Sequence, residues 1–135
     1  MADCVFCRIV AGEIPAARVA DDEHTVAFMD AGQVNPGHVI VAAKAHYETI
    51  LDLDDDVAGA LFRTAARVAR AVEGAFRPAG FTLLQANRPA GFQTVPHVHL
   101  HVLPRHEGDG VGLQWPAKNP PFEELQALAA RITGS

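Results

Sequence analysis

Polar and apolar positions change rhythm several times along the chain, and each change marks an element. Residues 4–11 (CVFCRIVA) predict a short helix that Gly12 stops, with Pro15 confirming the break. Residues 17–20 and 25–31 predict strands joined by the turn Asp21-Asp22-Glu23. Gln33-Val34-Asn35-Pro36-Gly37 is a strong turn signal, after which residues 38–42 (HVIVA) resume as a strand. From about Asp54 to Phe76 the period lengthens. Val57, Leu61, Ala65, Val68, Val72 and Phe76 recur every three or four residues, the apolar stripe of an amphipathic helix. Asp54 or Asp55 can cap its start, and Pro78-Ala79-Gly80 closes it. A strand at 80–86, a loop at 87–96 and a strand at 97–103 follow. A Gly- and Pro-rich stretch at 108–121 then leads to a last helix near 122–132, with Phe122, Leu125, Leu128 and Ile132 on one face. Most links between strands are too short for a crossover, so the sheet is expected to be largely antiparallel. The reading is α+β, with the long helix packed on one sheet face.

Composition narrows the classes. The 135 residues suit one domain, and 49% hydrophobic with 20% charged residues argues for a packed core rather than disorder. A net charge of −5 argues against a general nucleic-acid binder, which needs a basic face. No apolar run is long enough to span a bilayer as a helix. Asp3, Cys4 and Cys7 stand where a secretory signal would be charged and then apolar, so the expected address is the cytoplasm. In that compartment two cysteines bind metal or do redox chemistry more often than they form disulfides.

Seven histidines in so short a chain carry the chemistry. In His97-Val98-His99-Leu100-His101-Val102-Leu103, strand alternation puts three imidazoles on one face and Val98, Leu100 and Val102 in the core. Neighbouring histidines would stand roughly 6.7 Å apart along the strand, a spacing better suited to an extended anion than to one metal ion. A neutral imidazole near pH 7 is also a competent nucleophile toward phosphorus, and the middle ring, His99, is the natural candidate. Cys4-x-x-Cys7 is ambiguous by spacing alone: half of a zinc site, a redox pair, or two unrelated thiols.

The motif resembles the signature of the histidine triad (HIT) family, His-φ-His-φ-His-φ-φ with φ apolar. The resemblance runs through Phe28-Met29-Asp30, Pro36-Gly37-His38, Asn87 and Gln93-Thr94-Val95 to His101-Val102-Leu103-Pro104-Arg105, about residues 4–106, with 107–135 as an extension of a single domain. It implies a five-stranded, largely antiparallel sheet with helices and a homodimer. The implied activity is cleavage of nucleotidyl groups from phosphoramidates or dinucleoside polyphosphates carrying a purine nucleotide such as AMP or GMP.

Residue by residue, the resemblance implies attack by His99 on the α-phosphorus to give a nucleotidyl-histidine. His101 would contact the phosphate with His38 behind it. Gln93 and Thr94 would hold phosphate oxygens, and Asn87 would lie near ribose or phosphate. Asp30 would accept from ribose hydroxyls, while Val5, Phe6, Ile9, Phe28 and Ile40 would wall the base pocket. A bacterial branch of the family begins with Cys-x-Phe-Cys, which implies one structural Zn²⁺ per chain on Cys4, Cys7, His46 and His97. Phe92 stands where the family commonly has glycine, a change that alters the loop's shape and narrows the leaving-group side of the pocket, and Pro96 precedes the triad.

Two rival readings remain at this point. One is a nucleotide-sensing scaffold with weak activity. The other is a zinc hydrolase with His97 and His99 around an open metal position. Among the remaining residues, His24 reads as a surface histidine and His106 as a loop histidine. Arg88 and Arg105 are candidate phosphate partners, Asp52 to Asp56 a helix-capping run rather than a calcium loop, and Trp115 a candidate interface residue.

Overall fold

A computed structural model describes residues 3–134. The elements run, in chain order, α1 (Val5–Val10), β1 (Arg18–Asp21), β2 (Thr25–Met29), β3 (Val39–Ala43), α2 (Asp55–Phe76), β4 (Gly80–Leu84), β5 (His99–Arg105) and α3 (Phe122–Thr133). Two single 3₁₀ turns, Ile50–Asp52 and Pro89–Gly91, lie in the connections before α2 and before β5. The five strands form one antiparallel sheet in the order β1-β2-β3-β5-β4, so β3 and β5 sit at its middle. The architecture is the α+β arrangement expected from the periodicities.

Long-helix formation follows the predicted signals. Asp54 is the cap, its Oδ1 accepting from the Val57 N–H at 2.9 Å, while Asp52 closes a capping box with Thr49 one turn earlier. Val57, Leu61, Ala65, Val68 and Val72 bury against Val39, Val41, Val98, Leu100 and Val102 to form the larger core cluster. Truncating Leu61 to alanine there would cost about 2–5 kcal/mol, because the cavity cannot collapse between helix and sheet. Phe76, expected to end the stripe, remains 46% exposed, its ring beside Gly37. Gly37 is required twice over: its φ is +100°, and a Cβ there would stand 2.9 Å from the Phe76 ring.

The other sheet face carries the second cluster, Phe6 and Ile9 of α1 against Val26, Phe28, Ile40 and Ala42. Register puts Ile40 opposite His101 and Ala42 opposite His99, so these imidazoles share that face. Cys4 caps α1, its Sγ accepting from the Cys7 N–H at 3.5 Å. Helix α3 buries none of its residues.

One strand boundary differs from expectation in a way that matters. Residues 97–103 were expected as the histidine strand, but β5 spans His99 to Arg105. The His97 N–H donates to the Val95 carbonyl (2.8 Å) and the Val98 N–H to the Tyr47 carbonyl (2.7 Å), so the chain is still turning after Pro96. His97 therefore leaves the row of three evenly spaced rings. The other strands agree within one or two residues, the usual uncertainty of element ends.

Candidate active site and metal centre

His99 and His101 come from one strand and His38 from the turn that enters β3, so the central strand pair assembles the site. The His99 Nδ1 lies 2.7 Å from the His97 carbonyl oxygen. A carbonyl only accepts, so Nδ1 carries the proton and the lone pair of a neutral ring sits on Nε2. The Phe6 ring meets this imidazole edge to face, with centroids 4.9 Å apart. Burial lowers the proton affinity of His99, against the raising effect of the His97 carbonyl and Asp30. The ring is thus neutral at pH 7 with a free Nε2.

Its neighbour is polarised the opposite way. The Val34 backbone N–H donates to the His38 Nδ1 at 3.3 Å, which puts the proton of neutral His38 on Nε2. That Nε2 lies 2.9 Å from the His101 Nδ1 and donates to it, leaving His101 protonated on Nε2. The ring centroids of His99 and His101 are 5.0 Å apart. One strand therefore presents a lone pair at His99 and an N–H donor at His101. Burial first, then the neighbouring His99 and His38 rings, push His101 down from 6.5 to about 4.

Asp30 stands behind this pair. Its Oδ1 accepts from the Gly32 N–H at 2.7 Å, while Oδ2 lies 3.4 Å from His38 Nε2 and 3.7 Å from His101 Nδ1. These three side chains also converge in the manner of metal ligands. In the neutral pair, however, the proton of His38 and the lone pair of His101 at this junction are engaged with each other.

The second cluster gathers Cys4, Cys7, His46 and His97, whose ligand atoms all lie within 4.8 Å of one another. The Cys4 Sγ is 3.3 Å from the His97 Nδ1, and the Cys7 Sγ is 3.3 Å from the His46 Nδ1 and 3.5 Å from the His97 Nδ1. Tetrahedral zinc with ordinary Zn–S and Zn–N bonds has S···N edges of about 3.5 Å, so these separations fit. The His97 Nε2 donates to the Ala43 carbonyl at 2.6 Å, which turns the Nδ1 lone pair toward the sulfurs as metal ligation requires. Burial lowers His97, keeping it neutral. Cys7 is raised by burial and then by Cys4, a penalty on thiolate formation that a bound dication reverses. His99 lies outside this group, so the rival with His97 and His99 sharing an open metal position does not match the geometry.

The remaining expected residues fall as follows. Phe6, Ile9, Phe28 and Ile40 are buried together on the His99 face, and Val5 is exposed on the outer side of α1. Asn87 Oδ1 accepts from the Ile50 N–H (2.7 Å) and its Nδ2 donates to Gln85 Oε1 (2.5 Å), tying two loops together. Gln93 likewise spans two loops: Nε2 donates to the Glu48 carbonyl and Oε1 accepts from the Arg88 N–H, both at 2.6 Å. Thr94 is exposed. Arg105 does not face the site as a free cation; Asp109 holds it through Nε (2.7 Å) and a second guanidinium nitrogen (3.1 Å). Sequence reasoning missed the Val34 N–H and the carbonyls of Ala43 and His97, because backbone groups leave no residue signature.

The HIT domain family model matches residues 11–108. A solved HIT family protein from Bacillus anthracis is 38% identical, with a TM-score of 0.93, covering 98% of this chain and 96% of that one. An adenosine 5'-monophosphoramidase of Schizosaccharomyces pombe is 32% identical over 131 residues, 96% of each chain. A zinc-bound histidine triad family protein from Mycobacterium smegmatis is 32% identical, with a TM-score of 0.78, covering 98% of this chain and 97% of that one. With its fold, its histidine strand and these relatives in agreement, the chain belongs to the HIT domain family.

Proposed function

We propose that this protein is a nucleotide hydrolase or transferase that cleaves nucleotidyl groups, with AMP phosphoramidates and dinucleoside polyphosphates as the substrate class. The observation that carries the reading is the His97 carbonyl on Nδ1 of His99, which leaves Nε2 of a neutral ring as a nucleophile. Relatives named as adenosine 5'-monophosphoramidases support the adenylyl group and the phosphoramidate bond.

In this reading Nε2 of His99 attacks the α-phosphorus. A P–N bond forms, the bond to the leaving group breaks, and the positive charge that develops on the ring is stabilised by the carbonyl on Nδ1. The His38–His101 pair takes up a proton when the phosphoryl anion binds, with Asp30 balancing the charge, and passes it to the departing group. Water then attacks the nucleotidyl-histidine and returns its proton to the pair, and His99 leaves neutral. Asp30 keeps acceptor capacity for ribose hydroxyls. Gln93, Thr94 and Asn87 border the phosphate side; Phe6, Ile9, Phe28 and Ile40 border the base, and Val5, on the outer side of α1, is left out of that wall.

Cys4, Cys7, His46 and His97 would hold one Zn²⁺ per chain. Four protein ligands leave no open position, so the ion is structural, fixing α1 to the residues just before β5. A reducing compartment such as the cytoplasm keeps both thiols available. Homodimer formation is supported by the free edge of β4 and by exposed Phe62, Leu51, Ile50 and Leu84. The test is His99→Ala: turnover of adenosine 5'-phosphoramidate is abolished while AMP binding stays within a few-fold. Retained turnover refutes the proposal.

A further inference from the structure

Cys4 and Cys7 are the only two cysteines of the chain, both half-buried and neither bridged. Cys4 directly precedes α1 and Cys7 lies in its first turn, with the Cys7 N–H directed at the Cys4 Sγ. Their Cα atoms are thus one helical turn apart, about 5–6 Å, inside the span that a disulfide bridges. The pair that converges on His46 and His97 can therefore also close on itself.

Two contacts carry a change at this pair to the nucleophile. The His97 Nδ1 faces both sulfurs, at 3.3 and 3.5 Å, while the His97 carbonyl accepts from the His99 Nδ1 at 2.7 Å. His97 lies in a bend outside β5, so the anchors on its ring help to hold that carbonyl: the sulfurs on one nitrogen, the Ala43 carbonyl on the other. The second contact is Phe6, which stands between the two cysteines in sequence and is buried. Its ring meets the His97 ring (centroids 5.7 Å apart) and the His99 ring (4.9 Å), both edge to face. One residue thus touches the metal centre and the attacking imidazole together.

We propose that Cys4 and Cys7 form a peroxide-oxidation site whose disulfide releases the metal and unseats His99. One thiolate attacks an oxygen of hydrogen peroxide; an S–O bond forms, the O–O bond breaks, and hydroxide leaves to become water on protonation. The second thiolate attacks that sulfur, forming the S–S bond and expelling a second hydroxide. Two thiolates are oxidised, the peroxide oxygens are reduced to water, and zinc departs as an unchanged dication. A disulfide supplies no thiolate charge to the metal, so the His97 ring keeps only its Ala43 anchor. Closing the bond also draws in the first turn of α1 and shifts Phe6 against His99. The inference rests on the proposed metal centre and on His99 as the nucleophile, and it adds a reversible off state to both.

The test treats reduced, zinc-loaded protein with hydrogen peroxide and follows mass, released zinc, the His99 tautomer by ¹⁵N magnetic resonance, and turnover. The mass should fall by two hydrogens per chain, and a chromogenic chelator should capture zinc in step with the disulfide. The His99 Nδ1–H signal should lose its single state as kcat falls about tenfold. Dithiothreitol with zinc should restore all four readouts, and Cys7→Ser, which cannot close the bridge, should show no peroxide-dependent change in kcat. No disulfide at excess peroxide, a disulfide that retains zinc, or a disulfide with unchanged tautomer and kcat overturns the site. Reduced protein without zinc would overturn it together with the metal centre. Reduced protein that holds zinc yet leaves adenosine 5'-phosphoramidate intact counts against the proposed function alone, since mass, zinc and tautomer read the site without turnover.

Discussion

The Nε2 of His38 lies 2.9 Å from the Nδ1 of His101, and this contact orients a ring on β5 from the turn that opens β3. The His38 proton is placed by the Val34 N–H, so a backbone amide decides, through the His38 ring, which nitrogen of His101 carries the proton. His99 is set in the opposite sense by the His97 carbonyl. The same side-chain type on one strand face thus acts as lone-pair donor at one position and proton donor at the next.

Removing His38 should leave His101 free to change tautomer. His38→Ala is expected to lower kcat about a hundredfold with a much smaller change in KM. His38→Gln can restore an N–H donor near the old Nε2 and should recover part of the loss. Equal losses in both variants would argue for a packing role alone.

Acid should weaken the fold through these buried rings. With His101 lowered from 6.5 to about 4, and His38 lowered by burial, the unfolded chain binds protons below pH 6.5 that the folded protein excludes. Stability from this source is therefore complete above that range and is lost as pH falls toward 4. For His101 alone the loss between pH 7 and pH 5 is about 2 kcal/mol. Urea unfolding at the two pH values should show it, and His101→Asn should show a smaller drop.

Metal content and melting temperature test the Cys4, Cys7, His46 and His97 group. Protein purified without added metal should contain close to one zinc per chain. Cys7→Ser should lower the melting temperature by roughly 10 °C, the shift that about 3 kcal/mol gives a chain of this size. A metal-free sample with an unchanged melting temperature would remove zinc from the account.

Phe62→Glu combined with Leu84→Lys should convert a dimer to monomers in sedimentation, since both changes place charge on the apolar surface beside the free edge of β4. A wild-type monomer at micromolar concentration contradicts the proposed assembly.

Much of this was legible from local pattern. The stripe from Val57 to Val72 and the alternation through β5 are short-range signals, and the structure uses them as read. Departures arise where long-range contacts decide. His97 fits the strand pattern by sequence, but the turn after Pro96 and the sulfurs of Cys4 and Cys7 take it out of the row. Asp30 reads as a carboxylate for ribose; only the fold puts its Oδ2 beside two imidazoles. Arg105 reads as a phosphate partner until Asp109 is seen to occupy it, and nothing local to Arg88 or Phe92 announces the positive φ of their backbones.

The most direct measurement is to trap and map the intermediate. Protein mixed with adenosine 5'-phosphoramidate, quenched in base during turnover and digested, should yield an adenylylated peptide with the modification on His99. Turnover without any adduct, or an adduct on His38 or His101, would contradict the account.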